Sequence, residues 1–195
     1  MRFNLTHQYI LASSSPMRQR ILKQLDIPFS IIPSHIDESI LENEKPDALV
    51  SRLGRQKCEA LASQYPDAVL ISGDQVMTLD NEILGKPSDI DDAFQQLSRC
   101  SGHWVTSLSN VSVLFKDTVL QKTATCRVKF RTLSEASIRS YLKDDIVLNC
   151  AGSLCVEGLG VLLLEGIEST DPFSIYGMPL IALTELFQHH DLVDL

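Results

Sequence analysis

The stretch VLISGDQVM, residues 69–77, decides how this chain folds. Three apolar residues and a serine predict a short buried strand, and Gly73 and Asp74 follow it directly. In open α/β sheets, ligands bind beyond the carboxyl ends of the strands. We therefore expect Asp74 at a strand end, with Gly73 letting the backbone approach a phosphate group. A turn residue making an Asx-type hydrogen bond is the alternative role for Asp74.

Helical and strand patterns alternate on both sides of this stretch. Helices are predicted over PMRQRILKQLD (16–26, capped by Ser15), residues 46–64, residues 89–100 with Ser88 as the cap, SEASIRSYL (134–142) and PLIALTELF (179–187). Strands are predicted over residues 8–13, 29–32, 68–72, 104–115, 124–133 and 160–165, with a small hairpin turning at Asp80–Asn81. The mixture predicts an α/β fold around a partly parallel, twisted sheet. The length of 195 residues fits one domain, 1–195, whose two lobes share a core.

Composition restricts the partners and the compartment. The formal net charge of −8, from 25 acidic and 17 basic residues, does not attract nucleic acid by bulk charge. No apolar run approaches the roughly 18 residues that span a bilayer, and the N-terminal residues lack the apolar segment of a secretory signal. Five cysteines, an odd number without a CxxC pair, predict reduced, buried thiols rather than a disulfide framework or a zinc site. We expect a cytoplasmic protein.

A second strand end carries small hydroxyl groups and an arginine. Ser13 and Ser15 lead through Pro16 into the first predicted helix, whose free N–H groups favour phosphate. Arg18 adds a planar set of donors suited to phosphate oxygens. An ordinary Ser-Pro helix start with a solvated arginine would explain the same residues.

Carboxylates and lysines complete a set that suits phosphoanhydride hydrolysis. Glu38 follows Asp37 in a loop, and with Asp74 it could hold Mg²⁺, which proteins bind through one or two carboxylates plus substrate phosphates. Lys57 lies on the apolar stripe of its helix, so it either extends to the edge of the core or reaches an anionic ligand. Lys86, between a glycine and a proline, could be either solvated or bound to a phosphate.

Eight stretches, in chain order and over nearly the whole chain, resemble the Maf family of nucleoside triphosphate pyrophosphatases. They are LASSSPMR (11–18), IDES (36–39), LGRQKCEALA (53–62), ISGDQV (71–76), LGKP (84–87), LSRCSGHWVTSLSNVSV (97–113), CAGSLCVEGLG (150–160) and YGMPLIAL (176–183). The resemblance implies an elongated α/β fold like that of the inosine triphosphate pyrophosphatases, with two lobes around a central cleft. It also implies a cytoplasmic homodimer that uses a divalent metal, Mg²⁺ or Mn²⁺, to cleave nucleoside triphosphates to monophosphate and diphosphate.

The same resemblance assigns roles to residues. The catalytic carboxylate is Asp74, with Lys57 and Lys86 as the catalytic lysines. The metal ligands are Glu38 and Asp74. The substrate-binding element S-x-S-P-x-R falls on Ser13, Ser15 and Arg18. Asp74 would deprotonate the water that attacks the α-phosphorus.

Three further positions bear on the base. Gln75 stands where the branch of the family acting on dTTP and UTP has threonine, and Glu157 stands where that branch has glutamine. Both resemble the branch that acts on 7-methyl-GTP, since a carboxylate suits the N–H donors of guanine and the positive charge of the methylated ring. Met17 departs from that branch, which tends to have tryptophan there. Methionine lacks the aromatic face that could stack on a cationic base, so looser base selection is expected.

Three alternatives remain open. The protein could be a Maf pyrophosphatase of the dTTP and UTP type, or a non-catalytic nucleotide-binding regulator of division. It could also be an unrelated phosphate-handling α/β enzyme. A pure binding protein would not need the combination of Asp74, Lys57 and Lys86.

Overall fold

The computed structural model describes residues 2–143 and 145–194. The strands are β1 (Arg2–Phe3), β2 (Tyr9–Leu11), β3 (Phe29–Ile31), β4 (Val69–Leu79), β5 (Glu82–Leu84), β6 (Trp104–Phe115), β7 (Thr118–Phe130), β8 (Leu164–Ser169) and β9 (Val193–Asp194). The α-helices are α1 (Pro16–Leu22), α2 (Pro46–Ala62), α3 (Ile90–Cys100), α4 (Glu135–Tyr141) and α5 (Leu180–His189). Short 3₁₀ helices cover Lys23–Leu25, Asp145–Asn149, Ala151–Ser153, Leu159–Leu163 and Ser174–Tyr176.

A mixed sheet forms the centre of the fold. Its strand order is β3-β2-β4-β6-β7-β8, and β5 pairs with β4 as a seventh strand. β2 runs parallel to β3 and to β4, and the helices α1 and α2 make the crossovers that parallel strands require. The remaining pairs are antiparallel. The predicted α/β class with a partly parallel sheet and flanking helices is confirmed.

Helices cover both faces of the sheet because successive residues of a strand point to opposite sides. On one face, Ile10 and Leu70 pack with Leu61 of α2. On the other face, Ile71 packs with Leu183 of α5 and with the buried side of α1. Both faces of β4 are therefore buried, which explains its nearly continuous apolar sequence.

A separate apolar cluster lies beyond β5. Met77 and Leu84, which are paired across β4 and β5, pack there with Leu97 of α3 and Phe130 of β7. The β2–β3 side and the β5–α3 side of the fold thus have their own cores, joined through the long strands β4, β6 and β7.

Local signals for helix and turn geometry are largely confirmed. Ser15 caps α1, its hydroxyl accepting the backbone N–H of Arg18 at 3.3 Å. Asp80 and Asn81 form the turn of the β4–β5 hairpin with φ values of 51° and 68°. The cap of α3 was predicted one residue too early: Asp89, not Ser88, accepts the backbone N–H of Asp92.

One predicted strand is shifted. Residues 160–165 were expected to be extended, but Leu159–Leu163 form a 3₁₀ helix and the strand begins at Leu164. Gly160 explains the tighter path, since its N–H donates to the carbonyl of Cys155 and an added Cβ would collide with that same backbone. Among the described residues, no helix combines the length and the apolar content that a membrane span needs.

Candidate functional site

A gap in the sheet lies beside β4. On one edge, β4 pairs with β2 as far as Ile71, whose carbonyl accepts the N–H of Ala12. On the same side, pairing with β5 resumes only at Met77. In the described part of the chain, residues 72–76 have no strand partner on that edge. The gap lies between the β2–β3 side and the β5–α3 side of the fold and leaves the part of β4 that carries Asp74 and Gln75 without a neighbouring strand on that edge.

Asp74 lies in the middle of a strand, so the prediction that a strand ends before it is wrong. β4 continues to Leu79 because β6 pairs with it from Leu70 to Thr78. Gly73 has a packing role that the sequence did not predict. A Cβ added there would collide with the carbonyl oxygen of Asn110 on β6, so glycine is required by the neighbouring strand.

Lys57 joins the two predicted metal-binding carboxylates. Its Nζ donates to Oδ1 of Asp74 at 2.7 Å and to Oε2 of Glu38 at 3.0 Å. The side chains of Lys57 and Asp74 are 6% and 10% exposed, whereas Glu38 is 56% exposed. The structure therefore brings together three of the predicted catalytic and metal residues, with Lys57 on the buried stripe of α2 as predicted.

Close packing of α2 against β6 sets this geometry. Gly54 lies one turn before Lys57, and a Cβ there would collide with Oδ1 of Asn110. Asn110 pairs across the sheet with Asp74 and is 1% exposed; its Oδ1 accepts the hydroxyl of Ser112 at 2.8 Å. The hydroxyl of Ser72 donates to the carbonyl of Gly54. These polar contacts hold the helix at a depth where Lys57 reaches Asp74.

The cysteine next to Lys57 is a packing residue rather than a nucleophile. Cys58 is fully buried, and burial raises the pKa of its thiol to about 12. Thiolates, not thiols, are nucleophiles, so Cys58 is inert. Its Sγ donates to the hydroxyl of Ser72 at 3.1 Å and packs α2 on the sheet.

Ser13, Ser15 and Arg18 come together at the end of β2. The hydroxyl of Ser13 accepts the N–H of Ser15 at 3.2 Å and a guanidinium N–H of Arg18 at 3.3 Å. Burial lowers the pKa of Arg18, while Asp74 and Glu38 raise it, so Arg18 lies in the field of the same carboxylates. Its Nε donates to the carbonyl of Gly177 at 2.8 Å. The helix α1 is seven residues long, so the arginine rather than the helix end supplies the charge.

Gln75 borders the gap on the opposite face of β4 from Asp74. Its Nε2 donates to the hydroxyl of Ser107 at 2.8 Å and to the carbonyl of Ile175 at 3.0 Å. Neither partner was among the predicted site residues. The available signals were that Ser107 lies within a stretch that resembles the family, residues 97–113, and that Ile175 directly precedes another, residues 176–183.

Lys86 and Glu157 lie on the β5 side of the gap and are exposed. Lys86 follows β5. Leu84 of β5 pairs with Met77 of β4, and the antiparallel direction takes the chain after Leu84 towards Gln75. The loop that leads to Glu157 is bound to the same hairpin, since the N–H of Gly152 donates to the carbonyl of Gly85 at 3.0 Å. The two side chains have no hydrogen-bond partners among the described residues, so they are free to contact a ligand.

Met17 is half-buried and packs against the apolar cluster under α1. Tyr176 packs against the same cluster. The methionine is therefore partly used by the core, which reduces the surface it can offer to a base.

The cysteine prediction is wrong for two residues. Cys150 and Cys155 form a disulfide, while Cys58, Cys100 and Cys126 are free and buried as predicted. A tight loop that includes Gly152 and Ser153 at φ values of 61° and 58° brings the two sulfurs together. A spacing of five residues does not reveal such a turn.

The carboxylates at the gap fit a hard divalent cation only in part. Glu38 and Asp74 contact one ammonium group and so lie close together, which suits a cation with oxygen ligands. Within residues 2–143 and 145–194, no cluster of three or more potential metal-binding side chains exists. The donor set therefore fits a cation that takes its remaining ligands from water and a triphosphate.

Comparison with known proteins identifies the family. The model of the family described as Maf-like protein matches residues 8–190. Two similar proteins are the 7-methyl-GTP pyrophosphatases of Alcanivorax borkumensis, 44% identical with 92% of each chain covered, and of Colwellia psychrerythraea, 40% identical with 94% of this chain and 92% of the relative covered. The structure of the Staphylococcus aureus Ham1 protein is a distant likeness, 12% identical at a TM-score of 0.46, covering 64% of this chain and 72% of that one. The chain belongs to the Maf family.

Proposed function

We propose that this protein hydrolyses nucleoside triphosphates to the monophosphate and diphosphate, with 7-methyl-GTP as its substrate. One observation carries the proposal. Asp74 lies in the unpaired stretch of β4 and forms a buried ion pair with Lys57, and Arg18 is near Asp74 and Glu38. Similarity to proteins named 7-methyl-GTP pyrophosphatases supports the substrate.

Asp74 acts as the general base in this proposal. Lys57 binds Oδ1 of Asp74 and thereby fixes the carboxylate, while Oδ2 has no hydrogen-bond partner among the described residues. That oxygen accepts the proton of a water molecule as the water oxygen attacks the α-phosphorus. A bond forms between the water oxygen and phosphorus, and the bond to the oxygen that bridges the α- and β-phosphates breaks.

Positive charge on this chain stabilises the negative charge that grows on the phosphates. Lys57 and Arg18 are held in place by protein contacts, and such preorganised charges need little rearrangement during the reaction. Lys86, exposed at the rim, neutralises the departing diphosphate. Ser13 holds the guanidinium of Arg18, and Ser15 caps the helix that carries it.

Glu38 and Asp74, together with triphosphate oxygens, would hold a Mg²⁺ or Mn²⁺ ion. The ion would supply a Lewis acid that polarises the phosphoryl oxygens. This chain contributes the two carboxylates and Lys57, which keeps them close to each other.

Base selection is assigned to Glu157 and Gln75. A carboxylate and an amide oxygen both accept hydrogen bonds, and guanine presents N1–H and N2–H₂ donors along one edge. The negative charge of Glu157 also favours the positive ring of 7-methylguanine. Met17 adds apolar contact without an aromatic face, so discrimination between methylated and unmethylated guanine is expected to be modest.

Diphosphate release from a panel of nucleotides with Mg²⁺ tests the proposal. The panel contains 7-methyl-GTP, GTP, ATP, dTTP and UTP, with Asp74→Asn as the matched inactive control. We expect release to be fastest from 7-methyl-GTP and to depend on Asp74. Faster release from dTTP and UTP would overturn the substrate. Binding without release from any nucleotide would overturn the reaction and favour a regulatory nucleotide-binding protein.

A further inference from the structure

The carboxamide of Gln75 is held by two acceptors on the face of the sheet away from Lys57. Nε2 donates one hydrogen to the hydroxyl oxygen of Ser107 at 2.8 Å and the other to the backbone carbonyl of Ile175 at 3.0 Å. An amide nitrogen has two hydrogens, so both are used within the protein.

The orientation of this amide follows from its surroundings. The carbonyl of Ile175 can only accept a hydrogen bond, and the carbonyl of Ser174 lies 3.4 Å from Nε2 on the same side. Turning the amide over would place Oε1 against two carbonyl oxygens and remove the donor to the carbonyl of Ile175. Because an unpaired buried polar group is costly, the nitrogen must face the Ser174–Tyr176 helix.

The amide oxygen is consequently the only side-chain atom of Gln75 that can hydrogen-bond to a ligand. Oε1 has no hydrogen-bond partner among the described residues. A Cβ on residue 177 would stand 2.7 Å from Oε1, so Gly177, at φ +77°, leaves room for the amide oxygen beside its backbone. The carbonyl of Gly177 also accepts Nε of Arg18, so the free oxygen borders the arginine proposed to bind phosphate.

Strand register explains why Ser107 can hold the amide. Gln75 pairs with Ser109 and Met77 with Ser107, so Ser107 is the diagonal neighbour of Gln75 on the same face. Ser107 is 0% exposed and cannot touch a ligand itself. Ser109 instead donates to the carbonyl of Ser174 at 2.6 Å, which fixes the 3₁₀ helix that carries Ile175.

We propose that Ser107 is a positioning residue for base selection: with the carbonyl of Ile175, it fixes the Gln75 amide so that only an acceptor oxygen faces the bound base. The site then favours a base with an N–H donor on its edge, such as guanine N1–H, over adenine, whose N1 is an acceptor. This inference rests on the proposed nucleotide substrate and deepens it.

The test compares the affinities for GTP and ATP, measured by isothermal titration in EDTA so that no metal-dependent turnover occurs. The wild type is expected to prefer GTP. Ser107→Ala removes one of the two bonds that hold Nε2, and the preference is expected to fall by about 3- to 10-fold. Ser107→Thr keeps the hydroxyl and is expected to retain the preference. With Mg²⁺, Ser107→Ala is expected to alter KM for GTP while kcat changes less than about twofold.

A double-mutant cycle separates positioning from a general structural role. Gln75→Met removes the amide at similar size, and Ser107→Ala in that background is expected to leave the GTP to ATP ratio unchanged. An equal effect of Ser107→Ala in both backgrounds, an unchanged ratio in the single variant, or a wild type without preference for GTP would each overturn the inference. Selective GTP binding without any diphosphate release would instead overturn only the proposed reaction.

Discussion

The two faces of β4 at the gap are chemically different. Asp74, on the face covered by α2, belongs to a charged cluster with Lys57 and Glu38. Its neighbour Gln75 points to the other face, where its partners are the neutral hydroxyl of Ser107 and the carbonyl of Ile175. Alternation along one strand thus separates ionised groups from neutral ones within two consecutive residues.

The separation suits the proposed function. In that proposal, charges act on the phosphates, where negative charge grows during hydrolysis, and a neutral amide selects a base by the direction of a hydrogen bond. Arg18 connects the two faces: Asp74 and Glu38 raise its pKa against the lowering by burial, and its Nε holds Gly177 beside the amide of Gln75. A glutamine on the charged face could not take a proton, and a carboxylate on the neutral face would oppose two carbonyl oxygens.

Replacing the carboxylate on the charged face is expected to have the largest effect. Asp74→Asn keeps the shape but removes the base, and kcat for diphosphate release should fall by about 10²- to 10⁴-fold. Asp171→Asn is the matched control. Asp171 is also a buried carboxylate, 3% exposed, but it accepts the N–H groups of Phe173 and Ala182. The control should lose stability and keep kcat; equal rates for Asp74→Asn and wild type would contradict the assignment.

Removing the ammonium group of Lys57 should lower the stability of the folded protein. Lys57→Met leaves Asp74 buried without its counter-charge, which is expected to lower the free energy of unfolding by about 3–5 kcal/mol. Urea denaturation at neutral pH measures this loss. Lys122→Met removes an ammonium from the exposed pair with Glu185 and should cost less than about 1 kcal/mol. A similar, small loss of unfolding free energy in both variants would mean that the Lys57–Asp74 pair does not stabilise the folded protein more than an exposed pair does.

Displacing α2 should weaken the contact between Lys57 and Asp74 while leaving the hydrogen bonds of Gln75 intact. Gly54→Ala places a methyl group against Asn110, whose side chain is held by Ser112 and Thr123 and cannot easily turn. We expect kcat to fall up to about 10²-fold because Lys57 shifts from Asp74, while the preference for GTP over ATP persists. Gly166→Ala, where an added Cβ meets nothing within 4 Å, is the control and should keep the wild-type rate. A parallel loss of base preference in Gly54→Ala would show that the faces are not independent.

Local signals made part of this site predictable. The cap at Ser15 and the placement of Lys57 on the apolar stripe of α2 depend only on nearby residues and on helical periodicity, and both are confirmed. The position of Asp74 was mistaken for a strand end because glycine and aspartate are poor strand formers. Pairing with β6 outweighs that preference, and pairing between strands cannot be read from a single segment.

The partners of the site residues were beyond local reasoning. Ser107 and Ile175 meet Gln75 across long sequence separations, which no spacing rule reports. Gly54 offered a usable signal, since a glycine inside a helix costs about 1 kcal/mol relative to alanine and so implies close packing. The Cys150–Cys155 disulfide depends on a turn with positive φ angles that the sequence does not announce.

The smallest expected effect concerns His190. It lies on the α5 side of the sheet, the side that carries Gln75, and it tests whether a charge is also unfavourable on this side away from the gap. His190 follows α5 and is half-buried, and its Nε2 is buried without a hydrogen-bond partner among the described residues. Burial lowers its pKa, outweighing a backbone hydrogen bond at Val113 and the carboxylate of Asp191, which raise it; His189 adds to the lowering.

Since the folded pKa of His190 lies below the unfolded value of about 6.5, the unfolded chain binds more protons in the interval between them. Neutral His190 therefore contributes its full share of folding stability above a pH of about 6.5, and this stability is lost as the pH falls towards the folded pKa. We expect the Tm of the wild type to decline more steeply below pH 6.5 than that of His190→Gln, with a constant difference between the two proteins above pH 7.5. Parallel Tm curves across the whole range would mean that this side of the sheet tolerates a charge, and the contrast with the face around Lys57 would then be confined to the gap itself.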